Sequence, residues 1–221
     1  MIVNLLDDTV NRRTVQVTMI KSHNIYDEAA NSYARSHARW LRFAGGEAQC
    51  AFEGAVTALL RPGMRMLDVA CGTGTVARRL LNGANGNVDL VLLDASQRML
   101  NECRDIPAKR LIGCMKTLPF KVDSFDLLTC AWGIETLDDP TPALAEFVRV
   151  TRPRGHVCLV FCADRPSRSL IGRALRHQVT NSGRGMFLSQ KNMRDFAEAA
   201  GARRVQMLHC TGPAAAMILH I

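Results

Sequence analysis

The 221-residue chain reads as an α/β domain: a three-layer αβα sandwich built on a mostly parallel, seven-stranded sheet with an antiparallel C-terminal strand. Three observations predict this. Short continuous apolar runs, such as Val88–Leu93, suit strands buried on both faces. They alternate with segments whose apolar residues recur at helical spacing. The stretch Met66–Ala77 (Met-Leu-Asp-Val-Ala-Cys-Gly-Thr-Gly-Thr-Val-Ala) reads as a strand, a small-residue turn and a helix start, with Asp68 at the strand's C-terminal end. Ligands of open α/β sheets bind at that edge, and glycines there let a ligand approach the backbone.

Taken in order, residues 1–22 show only β-branched alternation (Thr14, Val15, Val17, Ile20) and read as an arm. Residues 25–60 read as helices. Ala30, Tyr33, Ala34 and Trp40–Leu41 give one apolar face; Ala51, Phe52, Ala55, Val56 and Leu59–Leu60 give another, with a break expected at Gly45–Gly46. Residues 1–60 thus form an arm and helical cap, and 61–221 the ligand-binding domain. Pro62-Gly63 turns into a strand over Arg65–Ala70, and Val76–Leu81 is helical. Val88–Leu93 is a strand ending at Asp94, and Ser96 caps a helix to Cys103. Strands follow at Arg110–Cys114 and Phe125–Cys130. Thr141 caps a helix reaching Thr151, with Pro142 in its first turn. Pro153–Gly155 turns into a strand over Val157–Cys162. Residues 163–187 are an insertion, and Gly201 ends a helix over Ser189–Ala200. Arg204–Cys210 and Ala214–Ile221 form a closing strand pair around Thr211-Gly212-Pro213.

Composition excludes several classes. No apolar run is long enough to cross a membrane, and Met1–Val10 lacks the basic start of a secretory signal. The eight cysteines are scattered with no C-x-x-C pair, which argues against a metal site and for reduced, mostly buried thiols in a cytoplasmic protein. A net charge of +8 permits an anionic partner. Two Trp and two Tyr supply a poor stacking platform for nucleic acid.

The glycine turn admits two cofactors. Gly72-x-Gly74-x-x-Ala77, with Asp94 about 20 residues on, satisfies a dinucleotide fingerprint. A pyrophosphate over that turn would be repelled by Asp68. S-adenosylmethionine carries no phosphate, has a cationic sulfur and ends in an amino group that an acid suits. Asp94 can accept from both ribose hydroxyls in either case.

Four motifs in order then resemble the class I S-adenosylmethionine-dependent methyltransferases, whose fold is Rossmann-like. They are Asp68-x-Ala70-x-Gly72-x-Gly74; Asp94-Ala95-Ser96-x-x-Met99-Leu100; Leu118-Pro119-Phe120 with Asp123-x-Phe125-Asp126; and Val148-Arg149-Val150-x-Arg152-Pro153-x-Gly155. The segment Trp132-Gly133-Ile134-Glu135-Thr136-Leu137-x-Asp139 resembles the Gly-Leu-Arg-Asn-Val-x-Asp segment of the ubiquinone/menaquinone-biosynthesis C-methyltransferase branch, with Glu135 and Thr136 in place of Arg and Asn. Gly113-Cys114-Met115 stands where that family has Gly-Asp-Ala, and a thiol is a poor acceptor for an adenine amino group.

The resemblance implies a small-molecule methyltransferase with S-adenosylmethionine as cofactor and no metal; the alternatives are a non-catalytic cofactor-binding scaffold and a nucleic-acid methyltransferase, the latter disfavoured because Cys130-Ala131-Trp132-Gly133 stands where methylation of a base amine uses an Asn/Asp-Pro-Pro-aromatic motif. The resemblance implies cofactor contacts from Asp68, Ala70, Gly72 and Gly74 at the turn, and from Asp94, Ala95 and Met99 after the second strand. Cys114 and Met115 face the adenine, Ala131 and Trp132 the methionine end, and Tyr26 closes over the top. Glu135 is a candidate base near the methyl-transfer point, its alternative being an outward, solvated carboxylate. In the insertion, Leu170, Ile171, Ala174, Leu175 and Val179 give an apolar face. The insertion reads either as a substrate cover, with Arg173, His177 and Arg184 as candidate substrate contacts, or as a basic amphipathic helix at a membrane surface, or as a solvated helix packed on the domain.

Overall fold

A computed structural model describes residues 35–83, 87–167, 169–181 and 185–221. Seven strands form one sheet: β1 (Arg65–Val69), β2 (Asp89–Asp94), β3 (Lys109–Ile112), β4 (Phe125–Ala131), β5 (Thr151–Cys162), β6 (Arg204–His209) and β7 (Ala214–His220). Their spatial order is β3-β2-β1-β4-β5-β7-β6. Only β7 runs against its neighbours, pairing antiparallel with both β5 and β6. β1, β2 and β4 are buried along nearly their whole length because helices cover both faces.

Alternation along the strands sorts the core into two layers. Leu67, Leu128 and Phe161 point to one face, where they meet α4 (Thr141–Val150) and α6 (Gln190–Ala199) through Phe147 and Met193. Met66, Leu92 and Val160 point to the other. There they meet α1 (Gly46–Leu59), α2 (Thr75–Gly83) and α3 (Gln97–Asn101) through Phe52, Ala77 and Leu100. Strand order reverses between β1 and β4, so their carboxyl ends diverge and leave a crevice, as in other doubly wound sheets.

Local expectations meet several corrections. The helix does not break at Gly45–Gly46: residues 35–40 pass through a π-helical turn, Leu41–Gly45, straight into α1. Gly45 is a packing residue, since a Cβ there would lie 2.5 Å from Trp40 Nε1 and 2.7 Å from Trp132 Cη2. Tertiary contact outweighs the modest helix penalty of glycine, roughly 1 kcal/mol. Ser96 and Ser189 cap α3 and α6 by accepting from the Met99 and Asn192 amides. Thr141 does not cap α4; the Asp139 carboxylate accepts the Thr141 amide at 2.9 Å instead. Pro153–Gly155 does not precede β5 but lies inside it, where the strand kinks at Arg154 with φ +67° and the pairing with β4 shifts register.

The insertion carries α5 (Leu170–Asn181). Its buried face is Gly172 and Leu175, while Leu170 and Ile171 are exposed, so the expected apolar face is only half used. All eight cysteines are free thiols, as expected, although Cys50 and Cys210 are exposed. Among the described residues no helix is long and apolar enough to cross a membrane, and none group into a metal-binding cluster.

Candidate functional site

The turn after β1 is held by left-handed backbone at Ala70, Gly72 and Gly74, with φ of +53°, +54° and +75°. Asp94, at the end of β2, ties that turn down. Its Oδ2 accepts the Gly72 amide at 2.8 Å and its Oδ1 accepts the Ser96 amide at 2.9 Å. The two glycines have different jobs. A Cβ on Gly72 would meet nothing within 4 Å, because its open side faces the crevice. A Cβ on Gly74 would strike Ile106 and Cys103, so Gly74 lets α2 close on the neighbouring loop.

The crevice holds a partly open cavity of about 90 Å³. Its floor is Ala70 and Gly72; Asp94, Ala95 and Met99 form one wall and Cys114 and Met115 another; Trp132 and Thr136 close the far end. Seven of the residues the family resemblance nominates therefore stand there beside Asp94. Gly74 and Ala131 do not line it: Gly74 packs on α2's neighbours, and Ala131 packs toward the α1 layer. Tyr26 lies outside the described residues.

Asp68 does not line the cavity either. It is buried behind the turn, its Oδ1 accepting from Thr129 Oγ1 at 2.8 Å and its Oδ2 without a hydrogen-bond partner. Burial pushes its carboxyl up to about 7; the Thr129 bond partly opposes this and the Asp94 charge adds to it. An S-adenosyl group fits these residues. The cavity is lined by one carboxylate and by no Lys or Arg, and an unpartnered acid oxygen sits behind its floor. A phosphate-bearing cofactor finds no cation among that lining.

Trp132 sits in the left-handed region, φ +56°, at the loop after β4. A chain of polar contacts holds its ring: Nε1 donates to Gln49 Oε1 at 2.6 Å, Gln49 Nε2 donates to Glu53 Oε1 at 2.6 Å, and Arg79 pairs with Glu53 at 2.7 Å. Trp40 and His37 pack edge-on against it, with centroids 5.9 and 6.0 Å away. Burial, helped by the Arg79 charge, lowers the His37 pKa to about 4, so its imidazole is neutral. Gln49, Glu53, Arg79 and His37 were not readable as site residues. The one available signal was Gln49, a polar residue at a core position of α1.

Glu135 is neither outward nor solvated. It is 4% exposed on the short 3-10 turn Ile134–Thr136 and lies outside the cavity lining. Its Oε1 accepts the Cys162 amide at 3.3 Å, and its Oε2 is buried without a partner. Burial pushes its carboxyl up to about 7 against the pull of the Cys162 bond. Its own carbonyl accepts the Met186 amide at 2.8 Å, so the end of the insertion crosses over it.

The expected substrate contacts are placed elsewhere. Arg173 is exposed and donates to the Ser167 carbonyl, and His177 is exposed and bonded to Asn181. Arg184 lies outside the described residues.

Comparison with known proteins agrees with this geometry. A family model described as a methyltransferase domain matches residues 67–159. A demethylmenaquinone methyltransferase of Renibacterium salmoninarum is 41% identical over 96 residues, covering 42% of this chain and 39% of that protein. A ubiquinone/menaquinone biosynthesis C-methyltransferase of Idiomarina loihiensis is 26% identical over 72% of this chain and 74% of that protein. Several of these relatives are spanned over less than half of their own length. A Thermotoga maritima structure described as an S-adenosylmethionine-dependent methyltransferase, possible histamine N-methyltransferase, superposes with a TM-score of 0.67. It shares 24% identity, over 89% of this chain and 98% of that one, and so speaks for the fold.

Proposed function

We propose, from the premise that this chain is a class I S-adenosylmethionine-dependent methyltransferase resembling the ubiquinone/menaquinone branch, that it transfers a methyl group directly to a small molecule. The observation that carries the reading is the cavity lining: one carboxylate and no base, in a chain of net charge +8. That balance suits a cationic, phosphate-free donor. When bound, S-adenosylmethionine supplies a methyl group on a sulfonium, an electrophile that needs no metal.

The chain's residues then bind, orient and exclude water. Asp94, oriented by the Gly72 and Ser96 amides, is the acceptor for the ribose hydroxyls. Gly72 leaves room at the turn. Main-chain groups of Cys114 and Met115 take the adenine edge, because the Cys114 thiol accepts poorly. Trp132, fixed through Gln49, walls the reacting end.

The relatives' names make a quinone-type ring one candidate acceptor, and the Glu135 and Thr136 substitutions argue for another. The test is transfer of a labelled methyl group from S-adenosylmethionine to the small-molecule fraction of a cell extract. Label in that fraction supports the reading; label only in nucleic acid, or none anywhere, overturns it.

A further inference from the structure

Helix α5 lies behind the Trp132 wall and turns only part of its apolar surface inward. Layers run outward from the cavity: Trp132 closes its end, Trp40 packs edge-on against Trp132 at 5.9 Å, and Leu175 and Val179 of α5 join the Trp40 cluster. The other face of the helix is open. Leu170 is 79% exposed and Ile171 51%, both in the first turn, with exposed Ala174 one turn on. Phe43, itself exposed, adjoins them: its carbonyl oxygen lies 3.4 Å from where a Gly172 side chain would begin. Arg39 ties the two segments together by donating to Gln178 Oε1 at 2.6 Å. Apolar residues exposed singly need no explanation, but a contiguous group of them marks an interaction surface.

The charge around this patch is one-sided. The described residues of 35–46 and 164–181 hold six arginines and one acid, Asp164, which Arg176 neutralises at 2.6 Å. Arg39 is bonded to the Gln178 amide oxygen, Arg173 to the Ser167 carbonyl, and Arg42 lies over the Phe43 ring. Three cations beside the patch thus meet only neutral groups. The next acid along the chain, Glu47, faces His209 on β6. Two copies of so basic a face would repel one another. An aliphatic tip flanked by arginines fits a surface that is negative outside and apolar within, and an anionic lipid bilayer is that surface.

We propose that the outer face of α5, together with Phe43, docks the protein on an anionic lipid bilayer. Leu170 and Ile171 enter the boundary between headgroups and acyl chains, and Arg39, Arg42 and Arg173 meet lipid phosphates. The helix lies on the membrane and does not span it, since no described helix is long and apolar enough to cross. Docking in this way sets the bilayer on the Trp132 side of the cavity. The surface is argued without the methyltransferase reading and stands or falls apart from it.

The test is co-sedimentation of the full chain with vesicles of phosphatidylcholine alone and of phosphatidylcholine mixed with phosphatidylglycerol. An arginine near an anionic surface strengthens binding about 5-fold, so the mixed vesicles should bind at least ~10-fold more tightly, and added salt should shrink the difference. The double substitution Leu170→Ser, Ile171→Ser should weaken binding to the mixed vesicles at least ~10-fold. Its melting temperature should stay within about 3 °C of the parent's, because both side chains are exposed. Val122→Ser alters another exposed aliphatic, just before β4 at the opposite end of the sheet, and should leave vesicle binding unchanged. Equal binding to the two vesicle types, binding to neither, or binding indifferent to the double substitution overturns the proposal. The two-vesicle comparison needs only the parent protein, so a variant that fails to fold does not rescue the idea. A dimer in lipid-free sedimentation that the double substitution breaks assigns the face to a second copy and overturns the proposal as well.

Discussion

Gly72 and Gly74 stand two residues apart in one motif, yet alanine at each should fail differently. Both have left-handed backbone, which costs an L-residue about 1 kcal/mol or a little more. At Gly72 a Cβ meets nothing within 4 Å, so that backbone cost is the whole loss of stability. At Gly74 the new methyl lands on Ile106 and Cys103, and overpacking adds about 1–3 kcal/mol. The melting temperature should fall by roughly 3 °C for Gly72→Ala and by roughly 6–10 °C for Gly74→Ala. Binding should rank the other way. The Gly72→Ala methyl projects into the cavity and should weaken S-adenosylhomocysteine at least ~10-fold, about 1.4 kcal/mol. Gly74→Ala should leave the affinity of the folded fraction within about 3-fold of the parent. Scanning fluorimetry and isothermal calorimetry read the two quantities separately. A Gly72→Ala protein as destabilised as Gly74→Ala, or one that binds normally, refutes the division of labour.

Two further outcomes follow from the buried polar groups. Gln49→Leu removes the acceptor of the Trp132 indole N–H and should cost about 1–2 kcal/mol in urea unfolding, with a shift in tryptophan emission; unchanged emission contradicts the Gln49–Trp132 bond. Asp68 and Glu135 have folded pKa values of about 7, above the usual 3.8 and 4.5, so each contributes stability that is full below about pH 4 and is lost as pH rises toward 7. His37, lowered to about 4, acts with the opposite sign: its contribution is full above about pH 6.5 and is lost as pH falls toward 4. Stability of Asp68→Asn relative to the parent should therefore climb between pH 4 and 7, by up to ~1.4 kcal/mol per pH unit. A difference that stays flat across that range contradicts a neutral, buried Asp68.

Much of the sheet was legible because its signals are local. Apolar runs ending in Asp94 and after Asp68 mark parallel strands, and small residues at Ala70, Gly72 and Gly74 mark a turn whose conformation few side chains tolerate. Ser96 and Ser189 announce their helices by the same short-range logic. What escaped depends on residues far apart in the chain. Gly45–Gly46 looks like a break until the Trp40 and Trp132 rings, the latter nearly ninety positions away, are seen to need the space. Gly74 looks like a ligand contact until Ile106 closes on it. Glu135 looks solvated until Met186 and Cys162 cover it, and no periodicity in a loop predicts which strand end or which crossing segment will do so. Gln49 gave a faint signal, a polar side chain on a buried helix face, but its partner lies 83 residues away.

The account turns on the cavity between β1, β2 and β4 being an S-adenosyl site. Isothermal calorimetry with S-adenosylhomocysteine and, separately, with NADH tests that most directly. The expected result is one-to-one binding of S-adenosylhomocysteine, none of NADH, and a loss of at least ~100-fold in Asp94→Ala, which removes the carboxylate that holds the Gly72 and Ser96 amides and that we propose accepts from the ribose. Heat from NADH, or S-adenosylhomocysteine binding that is indifferent to Asp94, would contradict it.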